Sequence, residues 1–426
     1  SIIEQIYSRA AIEFLLPDWC VGLQLNQRPS MFREYQRTRR LSARSLTVLL
    51  CISAAIWALP TGRGASALGE RLGPVEGAPL SRTGPDPSET DGVNVVAVGD
   101  IMVGTDWPAP NLDPRVREGG DPVSVYGPEI RDILARGDVV FGNFEGSAHT
   151  LDGGAKQCAN PAVCFLFRSP PWYAAYLRRA GFNMMSNANN HARDFGPDGQ
   201  LATVGNLRAA GIAVSAADAE GLRVGHLTLP NGLRVAMAAF GYGPGLLRAQ
   251  SRDALGRAMA EARGTADIVI VSCHLGGEGA AYEHLTGGPE LFLGEDRGDP
   301  VAFAHAAIDA GASLVLCHGP HVPRAVEVYR GRLIAYSLGN FWTYGSFNLS
   351  GSSGYAPMLE VRLDRHGRLL TARIHAARQN RPGGPVYDPD GAAITRIAQL
   401  TAEDVPSSGT IVGADGVVSW PVGADR

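Results

Sequence analysis

Lysine is almost missing from this 426-residue chain: Lys156 is the sole example, and arginine carries the rest of the positive charge. Basic and acidic residues number 38 and 42, a formal net charge of −4. The stretch up to residue 67 holds eight arginines and four acids, so the remainder is more acidic still. That balance leaves no basic face of the kind nucleic acid attracts, and nucleic-acid partners are excluded. Long apolar runs are lacking too. The longest without a charge, Leu46–Leu59 (LTVLLCISAAIWAL), is short of the ~20 residues of a membrane span. Cysteine is scarce, and two of the six, Cys20 and Cys51, lie near the N-terminus. Cys158 and Cys164 bracket a short loop (CANPAVC) and are expected to form a local disulfide in an oxidising compartment. Cys273 and Cys317 each directly precede a histidine. Small buried residues at strand ends is the simpler reading of that pair, and a bridge is the other. No internal repeat is visible.

What is present begins with a leader. Residues 32–44 are basic, Leu46–Leu59 is apolar, and Ala65-Ser66-Ala67 fits a small-residue cleavage site. That order predicts a secretory signal over residues 31–67, with an uncleaved membrane anchor as the alternative, and an extracytoplasmic location either way. Met31 is a natural start, which would make residues 1–30 upstream sequence called as coding in error. Residues 68–92 are rich in Gly, Pro, Ser and Thr and read as a flexible linker. From Val93 short β-branched runs alternate with helical stretches, the pattern of an α/β domain over 93–378. Strands are predicted at 93–98, 138–141, 183–186, 235–240, 268–273 and 313–317, and then antiparallel strands at 325–329, 333–337, 358–363 and 369–376. Helices are predicted at 128–136, 171–180, 197–210, 252–263 and 300–310. Residues 379–426 are Gly/Pro-rich and are expected to form an irregular tail.

One feature recurs: polar residues able to bind metal sit just beyond the C-terminal ends of predicted strands. Asp100 follows VNVVAVG, Asn143 and Glu145 follow DVVF, and Asn189, Asn190 and His191 follow NMMSNA. His274 follows IVIVSC, and His318 and His321 follow SLVLC. In open α/β sheets that edge is where ligands bind. Carboxylates, an amide oxygen and imidazoles converging there suit a borderline divalent cation, Zn²⁺, Mn²⁺ or Fe²⁺, better than Ca²⁺. Each residue also has a plainer role open to it. Asp100 can form a turn, Asn143 can hydrogen-bond one, and Glu145 can be a solvated loop charge. His149, His226, His284, His305, His366 and His375 fall in loops or amphipathic segments, where ordinary surface or core roles suffice.

The segments VVAVGDIMVG, GNFEG, FRSPPWYAAYLRRAGFNMMSNANNHARDFGPDG, CHLGGEG and CHGPHVPRAVEVYRGRLIAYSLGNF resemble the successive motifs of the CapA family of poly-γ-glutamate capsule synthesis proteins. The likeness runs from about Val93 to His375. It implies a four-layer αββα sandwich like that of calcineurin-type metallophosphoesterases, with one or two metal ions. By motif, Asp100, Glu145, Asn190, His274, His318 and His321 would be metal-site residues. His191 would be a general acid, aided by Asn190 and Glu278, while Asn143, Asn189, Asp194 and Asn340 would line the substrate cleft.

The sequence departs from the phosphoesterase pattern in ways that bear on the metal count. Asp-x-His becomes Asp100-Ile101-Met102, and Gly-His-x-His becomes His318-Gly319-Pro320-His321. Leu275 and Gly279 stand where the family carries aromatics, and an insertion, Ala280–Gly298, follows. The resemblance implies a role in synthesis or processing of poly-γ-glutamate or a related envelope polymer, with metal-dependent hydrolytic or transfer chemistry. The partners would be an anionic polymer and membrane-bound capsule-synthesis proteins. Two other readings stay open: a non-catalytic polymer-binding assembly component, and a secreted phosphoesterase unrelated to capsule.

Overall fold

The computed structural model describes residues 92–158, 164–345 and 347–421. The expected upstream sequence (1–30), the signal (31–67) and the linker up to residue 91 lie outside the described residues.

The chain first alternates strand and helix. It runs through β1 (Gly92–Met102), α1 (Val123–Leu134), β2 (Val139–Phe144), α2 (Tyr173–Arg179), β3 (Met184–Ser186), α3 (Gly196–Ala209) and β4 (Ala213–Ser215). A second group follows: β5 (Val224–Thr228), β6 (Arg234–Gly241), β7 (Leu247–Arg248), α4 (Arg252–Thr265), β8 (Ile268–His274), α5 (Pro300–Asp309), β9 (Leu314–His318), β10 (Val326–Tyr329) and β11 (Arg332–Ala335). The chain then returns to the first group with β12 (Asn340–Thr343), β13 (Met358–Asp364), β14 (Leu369–His375), α6 (Ala392–Asp404), β15 (Ile411–Val412) and β16 (Val417–Ser419). The first sheet has the order β15-β16-β14-β13-β1-β2-β3-β4, with β12 alongside the end of β1. The second has the order β7-β6-β8-β9-β11-β10, with β5 antiparallel to β6.

Period-two alternation sorts the side chains of these strands into three cores. Val93, Val95 and Ala97 of β1 meet Met237 of β6, Ile270 of β8 and Leu316 of β9 in a core between the two sheets. Val96 and Val98 face the other way, onto Ile130 of α1, Leu177 of α2 and Leu207 of α3. On the second sheet Val269 and Val271 face outward onto Ala258 of α4 and Phe303 of α5. Helix, sheet, sheet, helix is therefore the layering, the four-layer αββα sandwich.

Helix ends follow local chemistry. Ser251 and Asp299 cap α4 and α5 by accepting from Ala254 N and Ala302 N, and Pro300 begins α5 where an N–H has no helical partner.

The C-terminal segment corrects the sequence reading. Composition points to irregular chain over residues 379–426, yet α6, β15 and β16 lie there and extend the first sheet beyond β14. Ile394, Ile397 and Leu400 face the protein at helical spacing, and the glycines mark the turns around the helix rather than an absence of structure.

Candidate metal centre

The donors do meet, although by a different route from the one a single sheet edge would offer. Asp100 and Asn143 lie near the C-terminal ends of β1 and β2 in the first sheet, while His274 and His318 end β8 and β9 in the second. The site forms where the carboxyl ends of two facing sheets converge. Asp100 is placed by a close backbone approach. Its N–H donates to Gly339 O at 2.9 Å, and the Cβ of any side chain at Gly99 would overlap that same carbonyl. Glycine before the aspartate is thus a steric requirement.

Asp100, wholly buried, is the hub. Its Oδ1 accepts from Asn143 Nδ2 at 2.8 Å and lies 3.3 Å from His318 Nδ1, and its Oδ2 lies 2.9 Å from His321 Nδ1. Glu145 Oε1 stands 3.7 Å from His274 Nε2 and 3.6 Å from His321 Nε2. One donor atom each from Asp100, Glu145 and His321 falls within 4.8 Å of the others. His321 reaches this position with φ at 58°, a left-handed backbone that costs a non-glycine residue about 1 kcal/mol or more. Among the described residues, Glu145 Oε1, His274 Nε2, His318 Nε2 and Asn190 Oδ1 are buried without a hydrogen-bond partner. Buried polar atoms rarely go unpaired. The three from Glu145, His274 and His318 lie around Asp100 and His321, and together they fit a cation better than they fit a protein core.

The electrostatics agree. Burial opposes the Asp100 charge, but hydrogen bonds and charge from His318 and His321 outweigh it and hold this carboxyl far below the usual carboxylate range. Burial, reinforced by Asp100, Glu278 and Asp194, pushes Glu145 up to about 8 against the pull of His321. Burial also disfavours charge on His321, yet Glu145 and Asp100 raise it to about 10. Burial holds His274 well below the ordinary histidine value, so its imidazole is neutral and can act as a ligand. Both rises act in one direction: without a cation, the buried carboxylate charge favours protons held within the site.

Several expected substrate contacts have other roles. Asn143 and Asn189 are buried: Asn189 Nδ2 donates to Asn143 Oδ1 at 3.0 Å, and Asn143 Nδ2 also lies 3.2 Å from His274 Nδ1. They fix donors in place and face no cleft. Asn340 likewise turns inward, with Oδ1 3.2 Å from His321 Nδ1. Asp194 is fully buried and cannot touch substrate. Its Oδ2 pairs with His191 Nδ1 at 2.8 Å and accepts from Phe167 N at 2.7 Å, while Lys156 Nζ meets Oδ1. The His191 ring is therefore oriented by Asp194 and by the Phe167 ring 4.3 Å away, rather than by the adjoining amides. Glu278 makes an ion pair with Arg297 at 2.9 Å. Of the histidines given ordinary roles, His284 bonds Asp404, and His305 bonds Glu327.

Cys158 and Cys164 are bonded, as expected of their loop. Cys273 and Cys317 are bonded too, so the simpler reading of that pair gives way. They are buried strand-end residues, but parallel pairing of β8 with β9 sets them directly opposite one another.

Tyr242 escaped the sequence reading. It follows β6 at the same edge as the other donors, its ring 6.1 Å from His274 and 4.2 Å beneath the Arg297 guanidinium. It is 8% exposed, and its hydroxyl has no partner among the described residues. Tyr242→Phe is therefore expected to raise the stability of the metal-free protein by about 1 kcal/mol, the scale of an unmet buried hydroxyl. Denaturant titration checks this; a loss of stability would show that the hydroxyl is satisfied in solution.

The family described as "Bacterial capsule synthesis protein PGA_cap" matches residues 94–344. "PGA biosynthesis protein CapA" of Bacillus subtilis (strain 168) is 31% identical over 262 residues, 57% of this chain and 61% of that protein. "Capsule biosynthesis protein CapA" of Bacillus anthracis is 28% identical over 275 residues, 59% of this chain and 60% of that one. The chain thus matches about three fifths of the length of these curated relatives. Among solved structures, the 5'-nucleotidase precursor of Thermus thermophilus aligns with 74% of this chain and 59% of its own, at 16% identity and a TM-score of 0.35.

Proposed function

The chain belongs to the bacterial capsule synthesis protein family PGA_cap, and from that membership we propose that it is an exported protein that processes or transfers poly-γ-glutamate or a related anionic envelope polymer at a single divalent-cation site. The observation that carries this reading is the convergence of Asp100, Glu145 and His321 within 4.8 Å beside the unpartnered nitrogens of His274 and His318. Asn190, whose Oδ1 is buried and unpartnered, is a further candidate donor. Carboxylates and imidazoles together favour Zn²⁺, Mn²⁺ or Fe²⁺. Met102, in place of a histidine after Asp100, is buried in the core, which favours one tight ion over two.

A divalent cation held there supplies Lewis acidity, polarising a phosphoryl or amide oxygen. The protein does the rest. Asp100, fixed by Asn143, keeps its charge in a buried setting, and Asn189 fixes Asn143 in turn. Asp194 holds His191 Nδ1, which leaves Nε2 to carry a proton to a leaving group. The names of the two Bacillus relatives support a polymer of glutamate as the substrate class. Export is supported by the expected signal sequence and by two disulfides, which persist in oxidising compartments.

The loss of one metal motif favours a second reading, in which the chain binds the polymer without cutting it. Metal analysis of protein purified without chelator, paired with assays on phosphoesters and on γ-glutamyl polymer, separates the two. Bound metal with turnover supports the first reading; polymer binding without turnover supports the second; protein free of metal that acts on neither substrate overturns the enzyme reading. His274→Ala is expected to weaken Zn²⁺ or Mn²⁺ binding by about 10-fold or more, at least the effect of losing an outer-shell partner. Competition titration with a chelating dye measures it, and an unchanged affinity would remove His274 from the donor set.

A further inference from the structure

The last rung of the parallel ladder between β8 and β9 pairs His274 with His318, and the rung before it pairs Cys273 with Cys317. Alternation sends the two pairs to opposite faces of the sheet. The cysteines enter the outer core against α4 and α5, where both are fully buried. The histidines point to the metal centre. Past this rung the ladder stops. Leu275 N donates to His318 O at 2.8 Å, and then both chains turn away through glycines with positive φ, Gly276 at 94° and Gly319 at 116°. The two histidines therefore sit on the last rung of the ladder, where the chains leave the sheet. At that point a disulfide fixes the neighbouring Cα atoms at 4.5 Å. It also ties together a 44-residue separation that includes the whole insertion and α5, whereas Cys158–Cys164 spans a separation of 6.

We propose that the Cys273–Cys317 disulfide is a positioning element for the donor pair His274 and His318, so that the cation site gains full affinity only once the two thiols are oxidised. This rests on the reading of the site as a cation site. Oxidation removes a proton from each thiol, forms the S–S bond and passes two electrons to a disulfide-bearing oxidant, which leaves as a dithiol. The sulfurs are sealed beneath α4 and α5, so the exchange takes place before or during folding. In an exported chain, metal loading then follows oxidation.

Co²⁺ is the probe, because its visible spectrum reports the number and geometry of imidazole donors as well as affinity. Cys273→Ala/Cys317→Ala is expected to bind Co²⁺ about 10-fold more weakly than the parent and with an altered spectrum, the scale on which outer-shell support acts. Cys158→Ala/Cys164→Ala should match the parent in both. A purely structural role for Cys273–Cys317 would lower the melting temperature and leave Co²⁺ affinity and spectrum at parental values, and that result overturns the inference while the cation site stands. Should the alanine pair fail to fold, Cys273→Val/Cys317→Ala refills the apolar space, and parental affinity there overturns the inference equally. Failure of the parent itself to bind Co²⁺ removes the cation site and this inference with it.

Discussion

Glu290→Ala is expected to destabilise the protein by about 3–5 kcal/mol, the cost of leaving a buried charge without its partner. Glu290 comes from the insertion Ala280–Gly298 and is buried with Arg324, which has no solvent exposure. The pair is bidentate, with Arg324 donating from Nη1 to Oε1 at 2.9 Å and from Nη2 to Oε2 at 2.7 Å. Glu290 Oε2 also accepts from Gly277 N at 2.8 Å, and Arg324 Nε donates to Tyr282 O. One carboxylate therefore pins the insertion to two loops, the one after His274 and the one after His321. Removing it strands a guanidinium in the interior and loosens both donor loops. Glu290→Leu/Arg324→Met removes both charges together and should recover most of the loss, since apolar replacements of similar size commonly match a buried ion pair. Guanidinium unfolding midpoints at unchanged slope measure both variants. A Glu290→Ala protein within about 1 kcal/mol of the parent would show that solvent reaches Arg324.

Two further contacts tie the insertion to α6. Arg396 of α6 pairs with Glu283 at 2.6 Å, and Asp404 bonds His284 at 2.8 Å. An arginine from the same segment, Arg297, lies over Tyr242 and holds Glu278. The insertion thus links the C-terminal helix, expected to be irregular chain, to the rim of the candidate metal centre.

What the sequence discloses is set by range. Alternation along VNVVAV separates the inter-sheet face from the helix-covered face within six residues, and the donors after each strand are visible because strand ends are local features. Roles that depend on pairing between distant strands are not local. Nothing near Cys273 or Cys317 states that β8 and β9 run side by side in register, and their bond follows from that register alone. Asn143, Asn189 and Asp194 have the side chains of substrate contacts, yet burial converts them into supports, and burial is decided by which elements pack above them. Tyr242 carries no metal-ligand signature, so its place beside His274 emerges only when β6 lies next to β8. The signal that could have found it is its position, directly after a strand at the same edge as the donors.

His191→Ala is expected to leave metal content unchanged and to reduce turnover by roughly 10²-fold or more, the contribution of a positioned proton donor. His191 lies next to Asn190, but its imidazole is committed elsewhere. Nδ1 is held 2.8 Å from Asp194 Oδ2, and the Phe167 ring lies against the imidazole. Asp194 is itself fixed by the Phe167 amide and by Lys156, the sole lysine of the chain, so the ring has little freedom to tilt. This fixes the tautomer: with the Nδ1 proton donated to Asp194, catalysis must use the other nitrogen. Asp194→Asn should therefore reproduce much of the loss while keeping the shape of the site, because an amide can present its N–H to Nδ1 and favour the opposite tautomer. Turnover is measured on a phosphoester and on γ-glutamyl polymer, with metal content determined in the same preparations. Full turnover by metal-loaded His191→Ala would discard the proton-donor role and leave the cation site intact. Loss of metal along with turnover would instead make His191 part of the donor set, a result at odds with an Nδ1 already bound to a buried carboxylate and with a ring packed against Phe167.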